Sequence, residues 1–83
     1  MKDKKKLLKD FEELAAKLGI KIRYEKTNAR GGLCRVNENY YIIIDKKAST
    51  EYKLNIIAQS LKKFDLSEIH IKPKMRELLE EQE

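Results

Sequence analysis

Tyr40-Tyr41-Ile42-Ile43-Ile44-Asp45 decides the fold of this chain. Aromatic and β-branched side chains fill five consecutive positions, and such residues fit a pleated, partly buried surface better than a helix, where they lose rotamer freedom against the preceding turn. Three isoleucines in a row leave no polar alternation. The run over Tyr40 to Ile44 therefore predicts a strand buried on both faces and central in its sheet.

Immediately upstream, Asn37-Glu38-Asn39 has the chemistry of a tight hairpin loop, and Leu33 to Val36 is a short strand leading into it. Thr27-Asn28-Ala29-Arg30-Gly31-Gly32 supplies a longer turn. Before that turn Ile20, Ile22 and Tyr24 alternate with Lys21, Arg23 and Glu25, the period of two of a half-buried strand. Gly19 divides this strand from residues 3–18, where Leu7, Phe11, Leu14 and Leu18 recur at helical spacing with Leu8 and Ala15 beside them. A glycine suits the left-handed position that ends a helix.

Downstream of the isoleucines, Ser49 or Thr50 is an N-cap for a helix reaching about Phe64, with Glu51 in its first turn and Leu54, Ile57, Ala58 and Leu61 on one face. Ile69-His70-Ile71 reads as a short extended piece, and Pro73 as the first residue of a last helix over 73–82 anchored by Leu78 and Leu79. The expected fold class is α+β, ordered α-β-β-β-α-α, with a small three-stranded antiparallel sheet and helices on one face.

Size and composition bound what such a fold can do. With 83 residues, of which 41% are hydrophobic, the chain is a single domain, 1–83. A domain of this size buries only about 60% of the surface of its unfolded chain, which leaves little margin for a deep active-site cavity and excludes a large multi-substrate enzyme. No apolar run approaches the roughly 18 residues of a membrane span, and no signal-type apolar block follows the lysine-rich start, so a cytoplasmic protein with no membrane partner is expected. One Cys and one His cannot supply the four ligands of a structural zinc site, so neither metal nor cofactor is expected.

The charge is unevenly spread. Lys and Arg number 19 against 14 Asp and Glu, a net +5. Residues 20–63 carry ten cations and four acids, whereas residues 64–83 carry three against six. A basic middle steers an anionic partner, or pairs with the acidic tail of its own or another chain. Arg23, Arg30, Arg35, Lys46 and Lys47 are the candidate contact surface. Four tyrosines among these cations raise nucleic-acid binding, in which aromatics stack bases and cations track phosphates, with Tyr40 and Tyr41 on opposite faces of their strand. No aromatic RNA-binding motif, GXXG loop or helix-turn-helix signature accompanies them. The alternative is a solvated surface, with homo-oligomerisation through an apolar sheet face or the terminal helix.

Three further features have a bland and a sharp reading. Cys34 is a small buried hydrophobe, or a nucleophile if His70 comes within reach; His70 is otherwise a solvent-facing histidine. Arg30-Gly31-Gly32 is a hairpin or bulge element, or a nest of backbone amides for an anion. No phosphate-loop or dinucleotide fingerprint is present.

The stretch Gly31-Gly32-Leu33-Cys34-Arg35-Val36-Asn37, the Tyr40 to Ile44 strand, the following helix and Ile69-His70-Ile71-Lys72-Pro73 with Arg76-Glu77-Leu78 resemble a family of short uncharacterised bacterial proteins. That resemblance implies a bacterial protein and carries no activity with it. The topology also resembles small zinc metallopeptidases that cleave repressors, whose helix bears His-Glu-x-x-His. Here Gln59, Ser60 and Lys63 stand at those three positions, so the resemblance implies a scaffold without zinc chemistry. The expected function is a non-enzymatic binding or assembly module.

Overall fold

The computed structural model describes residues 2–26 and 32–82. The chain runs through α1 (Lys2–Lys17), β1 (Ile20–Glu25), β2 (Gly32–Val36), β3 (Asn39–Asp45), α2 (Thr50–Leu61) and α3 (Pro73–Glu81). The architecture is α+β, and the isoleucine strand β3 is central, in the order β1-β3-β2.

The expectation of an antiparallel sheet is corrected: the sheet is mixed. β2 and β3 form an antiparallel hairpin from Gly32 opposite Ile43 to Val36 opposite Asn39, whereas β1 lies parallel to β3, from Ile20 opposite Tyr40 to Glu25 opposite Asp45. Strand directions still alternate along the chain as in a meander. What differs is that β3 takes the middle place, where both edges are paired, and so meets β1 running its own way. β2, with Gly32, exposed Arg35 and Val36 at 53% exposure, has too little apolar surface for that position and stays at the edge. Asn37 makes the hairpin turn at φ 59°, a left-handed conformation that Asn tolerates better than most side chains.

Alternation then sorts the side chains. Ile20, Ile22 and Tyr24, Tyr40, Ile42 and Ile44, and Leu33 pack into one core with Phe11, Leu14 and Ala15 of α1, Leu54, Ile57, Ala58 and Leu61 of α2, and Met75 and Leu79 of α3. Ile42 and Ile44 are fully buried, each contributing about 1.5–3 kcal/mol of transfer free energy. Ile43 is only half-buried and, with Tyr41 and Cys34, stands outside that core on the opposite face. The expectation of burial on both faces therefore fails at Ile43, because the helices cover one face only. In α3, Met75 and Leu79 are the buried anchors, and Leu78 is half-buried.

Gly19, at φ 77°, ends α1 and reverses the chain into β1, so α1 runs back along the strand that follows it. α2 likewise leaves the end of β3 and returns across the sheet. The two helices consequently start at the same end, where Lys4 Nζ lies 3.5 Å from Glu51 Oε2. Ser49 caps α2, its Oγ accepting from the Tyr52 amide at 3.1 Å. Pro73 opens α3, whose start is tied to α1 by Lys72 Nζ, 3.1 Å from Asp10 Oδ1. Among the described residues no helix is long and apolar enough to cross a membrane.

Candidate anion-binding pole

One end of the domain gathers the C-terminal ends of the parallel strands β1 and β3 and the first turns of α1 and α2. Each helix start is the positive end of its dipole, equivalent to about half a charge. The residues at this end, 2–6, 23–26 and 45–53, hold nine Lys or Arg and four Asp or Glu. Their surplus of five positive charges equals the net charge of the whole chain, so the rest of the sequence is balanced.

Local hydrogen bonds shape the pole. The Lys46 amide donates to the Glu25 carbonyl at 3.0 Å, carrying the parallel pairing one step beyond the strands. Asp45 Oδ1 accepts from the Lys47 amide at 3.0 Å and the Asp45 backbone carbonyl from the Ala48 amide at 2.9 Å, so the turn into α2 is built on this one aspartate, and both lysine side chains are exposed. Lys53, one turn into α2, holds its ammonium 5.1 Å from the centre of the Tyr24 ring. The Tyr24 hydroxyl donates to Glu12 Oε2 of α1. Burial first, and then the Glu12 carboxylate, push the Tyr24 phenol well above its ordinary range.

The five candidate contact residues do not converge as a set. Arg23 and the pair Lys46 and Lys47 lie at the pole, with Arg23 on the helix-free face and its Nε 3.0 Å from Glu25 Oε2. Arg35 is at the other end. It stands opposite Tyr40 where Arg23 stands opposite Ile43, about 10 Å along the strand at about 3.3 Å per residue, and its position shares the core face. There its guanidinium sits 5.7 Å over the Tyr40 ring and Nε donates to the Asn37 carbonyl at 2.9 Å. Arg30, like Gly31 of the amide-nest reading, lies outside the described residues.

Lys4, Lys5, Lys6, Lys26 and Lys53 join the pole without having been singled out in the sequence. Lys4, Lys5 and Lys6 of α1 fall in a segment whose own charge is nearly balanced, and only the reversal at Gly19 brings them beside Lys46 and Lys47.

Cys34 and His70 are not brought together. Cys34 is half-buried on the helix-free face, in a row with Tyr41 and Lys21, and so is less enclosed than expected. His70 is exposed on the helical side, in a shallow depression with Asp10, Glu13, Lys17 and Lys72. Of the two adjacent tyrosines, Tyr41 is the one on the open face, 5.8 Å from Lys21 Nζ, and Tyr40 packs edge-on against Phe64 at 5.1 Å. No group of metal-ligating side chains occurs among the described residues.

Gln59, Ser60 and Lys63 do share a surface, a groove of about 590 Å³ between α2 and β2. Ser60 is buried and its hydroxyl donates to the Ile56 carbonyl at 2.8 Å, while Gln59 and Lys63 are exposed. No protein-family model, curated protein or solved structure matches the chain.

Proposed function

We propose that this chain is a non-enzymatic binding module of the bacterial cytoplasm that takes a polyanion, the phosphate backbone of a nucleic acid, at its basic pole. The observation that carries this reading is the coincidence, at one end of the sheet, of two helix starts with the entire positive surplus of the chain. Lysines there present flexible point charges rather than bidentate forks, which favours contact with successive phosphates over readout of bases. The open sheet face adds Tyr41 beside Lys21 as a single stacking surface.

Titration of fluorescent 20-nucleotide single- and double-stranded DNA and RNA against the protein tests the reading. If about four phosphates are neutralised, affinity falls about a hundredfold between 50 and 200 mM salt. Reversing Lys46 and Lys47 to Glu flattens that slope, and the same change at Lys72 and Lys74 does not. Absence of binding to all four nucleic acids at 50 mM salt rejects the reading.

Assembly is the second reading, favoured by the helix-free face on which Tyr41, Ile43 and Cys34 are half-buried without joining the core. Light scattering at two concentrations separates a homo-oligomer from a monomer. A metallopeptidase-like scaffold kept for binding is compatible with either, since Gln59, Ser60 and Lys63 line a groove without zinc ligands.

A further inference from the structure

We propose that the edge of β2 that faces away from β3, with the groove beside it, takes an extended acidic peptide segment of a partner protein as a fourth strand of the sheet. This site is separate from the basic pole and does not rest on the nucleic-acid reading.

The register identifies the groups on offer. A two-residue hairpin makes Val36 and Asn39 the pair that exchanges both hydrogen bonds, so Cys34 and Gly32 also bond inward to β3. The amides and carbonyls of Leu33 and Arg35 therefore point away from the sheet, and no other described backbone group bonds to them. Such a row of unpaired groups is a template for an added strand.

The two edges of the sheet differ in protection. β1 carries Lys21, Arg23 and Glu25, a charged residue at every second position, which discourages edge pairing. β2 carries one charge, Arg35, among Leu33, Cys34 and Val36, and Val36 is the most exposed large hydrophobic described. The groove against α2 continues this edge with Leu33, Ile56, Gln59, Lys62 and Lys63, and among the described residues no carboxylate lines it.

Charge selects the occupant. Lys62 and Lys63 line the groove beside Leu33 and Ile56, with the Lys62 ammonium also donating to the Gln82 carbonyl, and Arg35 is the one charge on β2 itself, so an incoming strand gains most by alternating carboxylates with small apolar side chains. A second copy pairing β2 with β2 would bring these cations from both chains to one seam, and like charges there oppose it.

The probe is a fluorescein-labelled acetyl-(Glu-Val)4-amide peptide, compared with acetyl-(Lys-Val)4-amide, against the full chain. Saturable anisotropy with the acidic peptide alone is expected, together with about tenfold slower hydrogen exchange at the Leu33 and Arg35 amides. Arg35→Pro removes one outward donor at a position where an edge strand accepts proline, and Lys63→Glu puts a carboxylate in the groove; each is expected to weaken binding about tenfold or more while circular dichroism is unchanged. Lys46→Glu with Lys47→Glu leaves peptide binding intact, which separates this site from the pole. Equal binding of both peptides, unchanged exchange at Leu33 and Arg35, full binding by Arg35→Pro, or a dimer in light scattering that Arg35→Pro abolishes would each overturn the proposal.

Discussion

Tyr24 of β1 donates its phenolic hydrogen to the carboxylate of Glu12 on α1. This bond joins the first helix to the first strand across the turn at Gly19, and burial together with the carboxylate favours the neutral phenol. In the unfolded chain the same phenol ionises near pH 10. The neutral form is favoured in the folded state, so its contribution is complete below about pH 10 and is lost progressively as the pH rises above it. Absorbance of tyrosinate during an alkaline titration is expected to show a step above the range of a free phenol, and Tyr24→Phe removes that late step. An alkaline limb that is the same in Tyr24→Phe as in wild type would contradict the bond.

Ile42 and Ile44 reach full burial while Ile43 between them does not, and their substitutions report which face of the sheet is covered. Ile42→Ala and Ile44→Ala should each cost about 2–5 kcal/mol, because the lost side chain leaves a cavity among α1, α2 and β3. Ile43→Ala, facing away from the helices, should cost roughly half of that or less. Urea midpoints at unchanged slope measure the difference. Equal losses at Ile42 and Ile43 would mean that the second face is covered as well.

The same three residues show where reading a sequence succeeds and where it stops. Their β propensity and unbroken apolar run mark a central strand, because both properties act locally. The identity of the neighbours is not local. Ile20, Ile22 and Tyr24 have the alternation of a half-buried strand whichever way β3 runs beside them, so nothing in that stretch distinguishes a parallel from an antiparallel partner. The pole was hidden for a related reason. Lys46 and Lys47 are conspicuous in the sequence, but Lys4, Lys5 and Lys6 sit in a helix whose charge is nearly balanced, and only chain reversal makes them neighbours. Charge alone groups Arg35 with Arg23, but their register positions on β2 and β1 separate them along the sheet and across its faces.

Ser49 supplies the one side-chain cap seen at the start of α2, accepting from the Tyr52 amide. Ser49→Ala leaves that amide without its acceptor and should destabilise the domain by about 1 kcal/mol. For a domain of this size that corresponds to a fall in Tm of about 4–8 °C. Ser49→Asp restores an acceptor and places a carboxylate at the positive end of the helix, so it should recover the loss. A cap role is excluded if Ser49→Ala and wild type melt together.

Cys34 lies on the helix-free face and His70 on the helical side, with the sheet between them. A histidine in that position cannot draw the thiol proton, so iodoacetamide should alkylate native Cys34 no faster than an unstructured peptide thiol at pH 7. Half-burial in the row with Tyr41 and Lys21 should slow the reaction rather than stop it, and unfolding in urea should raise the rate to that of the peptide. His70→Ala should leave both the rate and its pH profile unchanged. A native rate above the peptide value, or one that falls in His70→Ala, would require the two residues to meet.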